Sequence, residues 1–252
     1  MKLTIVGMSG SYPGPDSPAS CYLVEQDHEG RVFRLLLDLG SGALGALQRY
    51  IELDQVDAVL LSHLHADHCL DLCGYYVVRK YGEGAPMPRI PVYGPEGTAD
   101  RMARAYDLEP DPGMHEEFDF RTFPGEPFPV GPFLVRTARV AHPVPAFAIR
   151  LEADGSALAY SGDTGACDAL VDIAEGADLM LCEASFVEAP DNPPDLHLTG
   201  RQAGQHAARA GVRRLVLTHI PPHIDGKQVF REAERVFRGD LELARTGATY
   251  TV

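Results

Sequence analysis

The segment Leu61–His68, LSHLHADH, constrains this chain more than any other: His63, His65, Asp67 and His68 crowd into six residues directly behind the apolar run Ala58–Leu61. That run reads as a short, fully buried strand. A loop leaving its end can turn all four side chains inward, which a helix could not do at spacings of two, two and one. Imidazole and carboxylate are ligands for borderline divalent metals, zinc foremost. One mononuclear site needs only three protein ligands, so four in one segment point to two cations.

Further candidates stand just beyond other apolar runs. His142 follows Phe133–Val140, Asp163 follows Ala157–Tyr160 in the string YSGDTG, and His219 follows Arg214–Thr218 in LTHIPP. Singly each is weak, but together they place one ligand past the carboxyl end of each strand, where ligands collect in α/β folds. Strands are also expected at Lys2–Val6, Cys21–Glu25, Val32–Asp38, Ile90–Val92, Ala146–Leu151, Leu179–Cys182 and Ala248–Val252. Helices are expected at Leu44–Ile51, from about Cys69 to Tyr81, and at Gly97–Tyr106, Asp168–Glu175, Gly200–Ala210 and Gln228–Phe237, the fifth opened by a Thr199/Gln202 capping box. Loops fall at 8–19, 82–89, 110–114, 124–132 and 187–196. Strands first, then mixed strand and helix, twice over, predict an α/β fold with sheets packed together and helices outside. No repeat or linker divides the chain, so residues 1–252 are expected to form one domain.

A chain of 252 residues needs no metal staple to fold, so a cation here is expected to be catalytic. The net charge of −14, with only three lysines among 22 cations, argues against a dedicated nucleic-acid binder. No apolar run has the length of a membrane span, and MKLTIVGMSG lacks the features of a signal peptide. The five cysteines are odd in number and form no CxxC pair, which fits a reducing cytoplasm. Cys69 and Cys73 stand close enough to the histidines to suggest ligation, but LDLCGYYVVRKYG reads as a helix with the thiols on its inner face.

The ordered set SHLHADH, AHP, SGDTG and LTHI resembles the metallo-β-lactamase superfamily. The resemblance implies a four-layer αβ/βα sandwich with a dinuclear site between the sheets. One metal would take His63, His65 and His142, the other Asp67, His68 and His219, with Asp163 bridging both. LCEASF, with Glu183, and LHLTGRQAG, with His197, look like paired motifs of the ribonuclease Z-like phosphodiesterase branch. From the residues alone, Glu183 serves equally as a strand-end cap and His197 as a loop residue beside a helix cap. The resemblance makes them catalytic with Asp67: an imidazole oriented by a carboxylate assists the leaving alkoxide. Asp38, beside Gly40 and Gly42, reads either as support for the ligand loop or as a plain turn former. Ser9, Ser11 and Ser17 are weak candidates as phosphate donors. His28, His115 and His206 read as structural or exposed, and His223 as near the cleft without a role.

The tRNA-processing members of that branch carry a long Gly- and Pro-rich arm between the third histidine ligand and the bridging Asp. Here residues 143–162 hold only two strands and a DG turn. The strings GPDSPAS, GALGALQRY, SHLHADHCLDL, PPDLHLTG and AGVRRLVLTHIPP resemble actinobacterial, atypical class II-like cyclic nucleotide phosphodiesterases. That likeness implies hydrolysis of a small anionic diester, 3′,5′-cyclic AMP above others, with two divalent metals lowering the pKa of a shared water. Zinc is the first choice of metal, manganese or iron the alternatives, and a cytoplasmic homodimer is expected. A nuclease acting on RNA 3′ ends, and a metal-dependent acyl hydrolase such as a lactonase or β-lactamase, are the rival activities.

Overall fold

Strand periodicity sets the layering. In the computed structural model, which describes residues 1–252, strands β1 (Lys2–Gly7), β2 (Cys21–His28), β3 (Arg31–Leu37) and β4 (Ala58–Leu60) bury both faces. Leu3, Ile5, Tyr22, Val24, Leu35 and Leu37 point into a core between two sheets. Their neighbours Val6, Cys21, Leu23 and Leu36 point the other way, under helices. With side chains alternating and both faces covered, such strands read as continuous apolar runs.

The first sheet continues through β5 (Ile90–Gly94) and β6 (Phe118–Thr122), β3 to β6 running parallel. Its helices are α1 (Ala43–Leu47), α2 (Ala66–Cys69), α3 (Leu72–Tyr81) and α4 (Thr98–Ala105). The second half repeats this plan. Antiparallel β7 (Phe128–Val130), β8 (Phe133–Arg139), β9 (Phe147–Ala153) and β10 (Ser156–Tyr160) lead into parallel β11 (Leu179–Glu183), β12 (Arg214–Thr218) and β13 (Asp240–Leu243). Helices α5 (Asp168–Ile173), α6 (Gly200–Ala210) and α7 (Gly226–Glu234) cover it through a third core containing Ala159, Met180, Leu215, Ala207 and Val229. Strand β14 (Thr249–Thr251) returns to pair with β1, giving two seven-stranded sheets, β14-β1-β2-β3-β4-β5-β6 and β13-β12-β11-β10-β9-β8-β7. The architecture is the expected αβ/βα sandwich. No helix is long and apolar enough to cross a membrane.

Three strands were not foreseen: β6, β7 and β13, each an outermost strand. Pro129 in β7 has no N–H to give, and a proline in a sheet is tolerated at such an edge, which is why 124–132 read as a loop. The capping box of α6 is present, with the Thr199 side chain accepting from Gln202 N–H and the Gln202 side chain from Thr199 N–H.

The parallel strands end on one rim. Asp38 follows β3, His63 follows β4, Asp163 follows β10, Glu183 closes β11 and His219 follows β12. Asp38 and His219 adopt left-handed backbone, φ 60° and 55°, which bends the chain sharply as it leaves each strand.

Candidate metal centre

The ligand segment is not a simple loop. His63 follows β4, His65 is extended, and Ala66–Cys69 then closes one helical turn that carries Asp67 and His68. Extended backbone followed by a helical turn directs all four side chains to one place, which neither conformation alone achieves. Gly40 makes room for the turn: a Cβ there would lie 1.9 Å from the Asp67 carbonyl oxygen. Leu39 N–H donates to the His68 carbonyl and Ser20 N–H to that of Asp67, tying the turn to the end of β3.

Two clusters of ligand atoms result, each within 4.8 Å overall: His63, His65, His142 and Asp163; and Asp67, His68, Asp163 and His219. In the first, His63 Nε2 lies 3.0 Å from His65 Nδ1, which lies 3.3 Å from His142 Nε2. In the second, His68 Nε2 is 3.0 Å from His219 Nε2, and that atom 3.1 Å from Asp67 Oδ2. Ligands about 2.0–2.1 Å from a tetrahedral cation stand roughly 3.3–3.4 Å apart, so both clusters have the spacing of a coordination sphere. Asp163 joins them, with Oδ2 3.6 Å from His63 Nε2 and Oδ1 3.2 Å from His68 Nε2. Its Oδ1 is buried without a hydrogen-bond partner. A carboxylate that would serve a cation in each cluster accounts for that orphaned atom.

The outer hydrogen bonds fix which nitrogens carry lone pairs. His142 Nδ1 is 2.9 Å from the Leu196 carbonyl and must donate to it, leaving Nε2 bare. His68 Nδ1 donates to Asp38 Oδ2 at 2.7 Å. Ser62 Oγ gives its proton to Asp38 Oδ2 at 2.8 Å and so accepts from His63 Nδ1 at 3.1 Å. The inner Nε2 atoms of His63 and His142 are thereby left as lone pairs in the first cluster and that of His68 in the second, an arrangement that a cation in each cluster would stabilise. Asp38 thus supports the ligand segment. It is fully buried and also accepts from Ser62 N–H and from the Tyr160 hydroxyl, each at 2.6 Å.

The electrostatics agree. Burial holds the imidazoles of His63, His65 and His142 below the usual histidine range, so they are neutral near pH 7. Burial works against charge on His68 too, but the carboxylates of Asp163 and Asp38 more than offset it and hold its pKa well above the usual histidine range. Burial opposes ionisation of Asp67 and Asp163, yet the neighbouring histidines keep both carboxyls well below the carboxylate range. The residues present fit two divalent cations.

Beside the clusters, fully buried Glu183 accepts from His197 Nδ1–H at 2.8 Å and from the backbone N–H groups of Thr164, Ser185 and Leu198. The His197 ring lies 5.6 Å from that of His142 and 5.7 Å from that of His219. Burial alone would lower the His197 pKa, but the Glu183 charge and hydrogen bond raise it to about 9.

Every expected site residue lies at this rim. Cys69 and Cys73 are packed among apolar side chains of α1, α3 and the first sheet, as buried thiols. His206 is buried in α6 and accepts from Cys167 N–H, and His115 is exposed. Ser9 and Ser17 spend their hydroxyls on backbone carbonyls within their own loop, so they are not free phosphate donors. Sequence reasoning missed Ser62, Tyr160 and Ser185, the last linking Glu183 to the His219 backbone carbonyl. Ser62 opens the motif SHLHADH and Tyr160 directly precedes SGDTG, but nothing in a hydroxyl residue announces that its acceptor, Asp38, lies at the end of another strand.

Fold and rim together define a class: a metal-dependent hydrolase whose His/Asp clusters are compatible with a dinuclear centre. The Beta-lactamase superfamily domain matches residues 34–220, and the chain belongs to that family, in its ribonuclease Z-like branch. It is 45% identical to an uncharacterised protein of Mycobacterium leprae, covering 100% of this chain and 89% of the relative. It is 30% identical to a ribonuclease Z of Mycobacterium bovis, over 89% of this chain and 87% of that one. The crystal structure of the metallo-β-lactamase fold protein YhfI from Bacillus subtilis superposes with TM-score 0.87 at 27% identity, covering 99% of this chain and 98% of that one.

Proposed function

We propose that the protein is a dinuclear-metal phosphodiesterase that hydrolyses a small cyclic nucleotide, 3′,5′-cyclic AMP before others, to the nucleoside monophosphate. The observation that carries this reading is the Glu183–His197 pair held beside two ligand clusters that share Asp163. Two divalent cations, zinc by the N and O donor set, supply a water acidic enough to attack near neutral pH and neutralise charge on phosphate oxygens.

The protein's own residues do the rest. With Nδ1 committed to Glu183, His197 has only Nε2 to offer a substrate oxygen. A pKa of about 9 keeps a proton on it at pH 7, ready for the departing alkoxide. Between His142 and Asp163 the chain spends its residues on β9, the turn Asp154–Gly155 and β10, leaving no length for an arm to hold a long RNA. With a net charge of −14 outside a site of cations, a compact anion is the better match.

The likeness to a ribonuclease Z favours one second reading, cleavage of RNA 3′ ends. Zinc-loaded protein offered cyclic AMP, bis(p-nitrophenyl) phosphate, precursor tRNA and a lactone decides among them. Release of 5′-AMP from cyclic AMP is the expected result. Cleavage of precursor tRNA with none of cyclic AMP transfers the assignment to RNA, and turnover of the lactone alone overturns the phosphodiester reading.

A further inference from the structure

Tyr12 is 46% exposed, and nothing in the metal chemistry uses it. Its hydroxyl is 2.9 Å from His223 Nδ1, and the two rings lie parallel within 4°, their centroids 6.1 Å apart. His223 is exposed as well. The pair is therefore an aromatic surface facing solvent rather than part of a core.

Its place is set by backbone. Ser11 N–H points at His219 Nε2 from 3.5 Å, so the residue directly before Tyr12 lies against a ligand atom of the second cluster. Tyr12 N–H donates to the Gly10 carbonyl across Ser11 at φ 63°, a tight three-residue turn of the uncommon γ class. Gly10 packs so closely on the His219 carbonyl that a Cβ would lie 2.2 Å from its oxygen, and Gly10 N–H donates to the Ile220 carbonyl. Farther along, Gly14 rests on Pro222, next to His223. Strain held in an exposed turn against a ligand loop is a mark of function. The turn holds two parallel rings, tied by a hydrogen bond, beside the segment that carries His219.

We propose that Tyr12 and His223 form a stacking platform for the base of the nucleotide whose phosphate lies at the metal centre. This rests on the phosphodiesterase reading and names the part of the substrate that sets its selectivity. A planar heteroaromatic base has a π-face for the rings to meet, and stacking needs no cationic surface, which suits a chain of net charge −14. It is also tolerant of base identity, so discrimination between nucleotides and simple alkyl diesters exceeds that between one base and another.

The chain contains no tryptophan, so Tyr12→Trp creates a protein whose indole emission reports position 12 alone. Zinc-loaded Tyr12→Trp is titrated with adenosine 5′-monophosphate and with ribose 5-phosphate, which keeps the phosphate and lacks the base. Saturable quenching by the first and not the second is expected; equal responses to both, or none to AMP, overturn the platform. Calorimetry on the parent, Tyr12→Ala and His223→Ala adds a reading free of the indole. The ratio of AMP to ribose 5-phosphate affinity should fall about tenfold in Tyr12→Ala. An unchanged ratio overturns the proposal. An oligoadenylate that quenches at far lower concentration than AMP reassigns the surface to a polynucleotide and also overturns it. Turnover of bis(p-nitrophenyl) phosphate by the parent tests the phosphodiesterase reading separately, so the two can fail independently.

Discussion

Replacing Asp38 by asparagine rewires the protons of the metal centre without changing its shape. The carboxylate takes Ser62 N–H on Oδ1 and three donors on Oδ2: Ser62 Oγ–H, His68 Nδ1–H and Tyr160 O–H. Asparagine can keep Oδ1 for the amide, but it then presents an NH2 to the other three. The two hydroxyls can turn and accept. His68 cannot, unless its proton moves to Nε2, and that removes the lone pair directed at the Asp67, Asp163 and His219 cluster. Partners of this kind are worth about 10–100-fold in metal affinity, and the loss should fall on one cation of the two. Losing a charge-assisted bond in a dry site costs about 2 kcal/mol, or about 4–8 °C in Tm for a chain of this size. Metal analysis after dialysis against chelators of graded strength, with a melting curve, reads both. The expected species retains one tightly held cation. Retention of two cations at parental affinity would refute the tautomer argument.

Other variants separate the roles at the rim. His197→Ala should keep two cations yet lose at least about a hundredfold in kcat on cyclic AMP, as for loss of a general acid; loss of metal instead would make His197 a ligand. Glu183 raises the His197 pKa to about 9, so the proton is held below that pH and lost as pH rises through it. Glu183→Gln removes the raising partner, and the alkaline limb of the kcat profile should move to lower pH; an unmoved limb assigns it to another group. Gly40→Ala would drive a methyl into the Asp67 carbonyl, 1.9 Å away, so it should weaken the second cluster selectively at a cost of about 1–3 kcal/mol, read by metal content and Tm.

How much of this was legible beforehand follows from where the information lies. The central strands bury both faces, so runs such as LTIV and LMLC identify them without help. Edge strands β6, β7 and β13 expose one face or carry a proline, and their short mixed strings look like loops. The clustered His and Asp residues were readable because they stand at strand ends, next to apolar runs in the chain. Their conformation was not, since the helical turn at Ala66–Cys69 depends on Gly40 and β3 lying beneath it. Asp38 had two readings until the fold placed Ser62, His68 and Tyr160 around it. The Tyr12–His223 pair, 211 residues apart in sequence, had no local signal at all.

The most direct test of a dinuclear phosphodiesterase is a metal titration of cyclic AMP cleavage. Protein stripped by a chelator is given zinc in steps, and 5′-AMP formation is followed at each step. Activity that climbs to a plateau at two equivalents per chain is the expected result. Full turnover at one equivalent, turnover of the stripped protein, or no 5′-AMP at any loading would contradict the account.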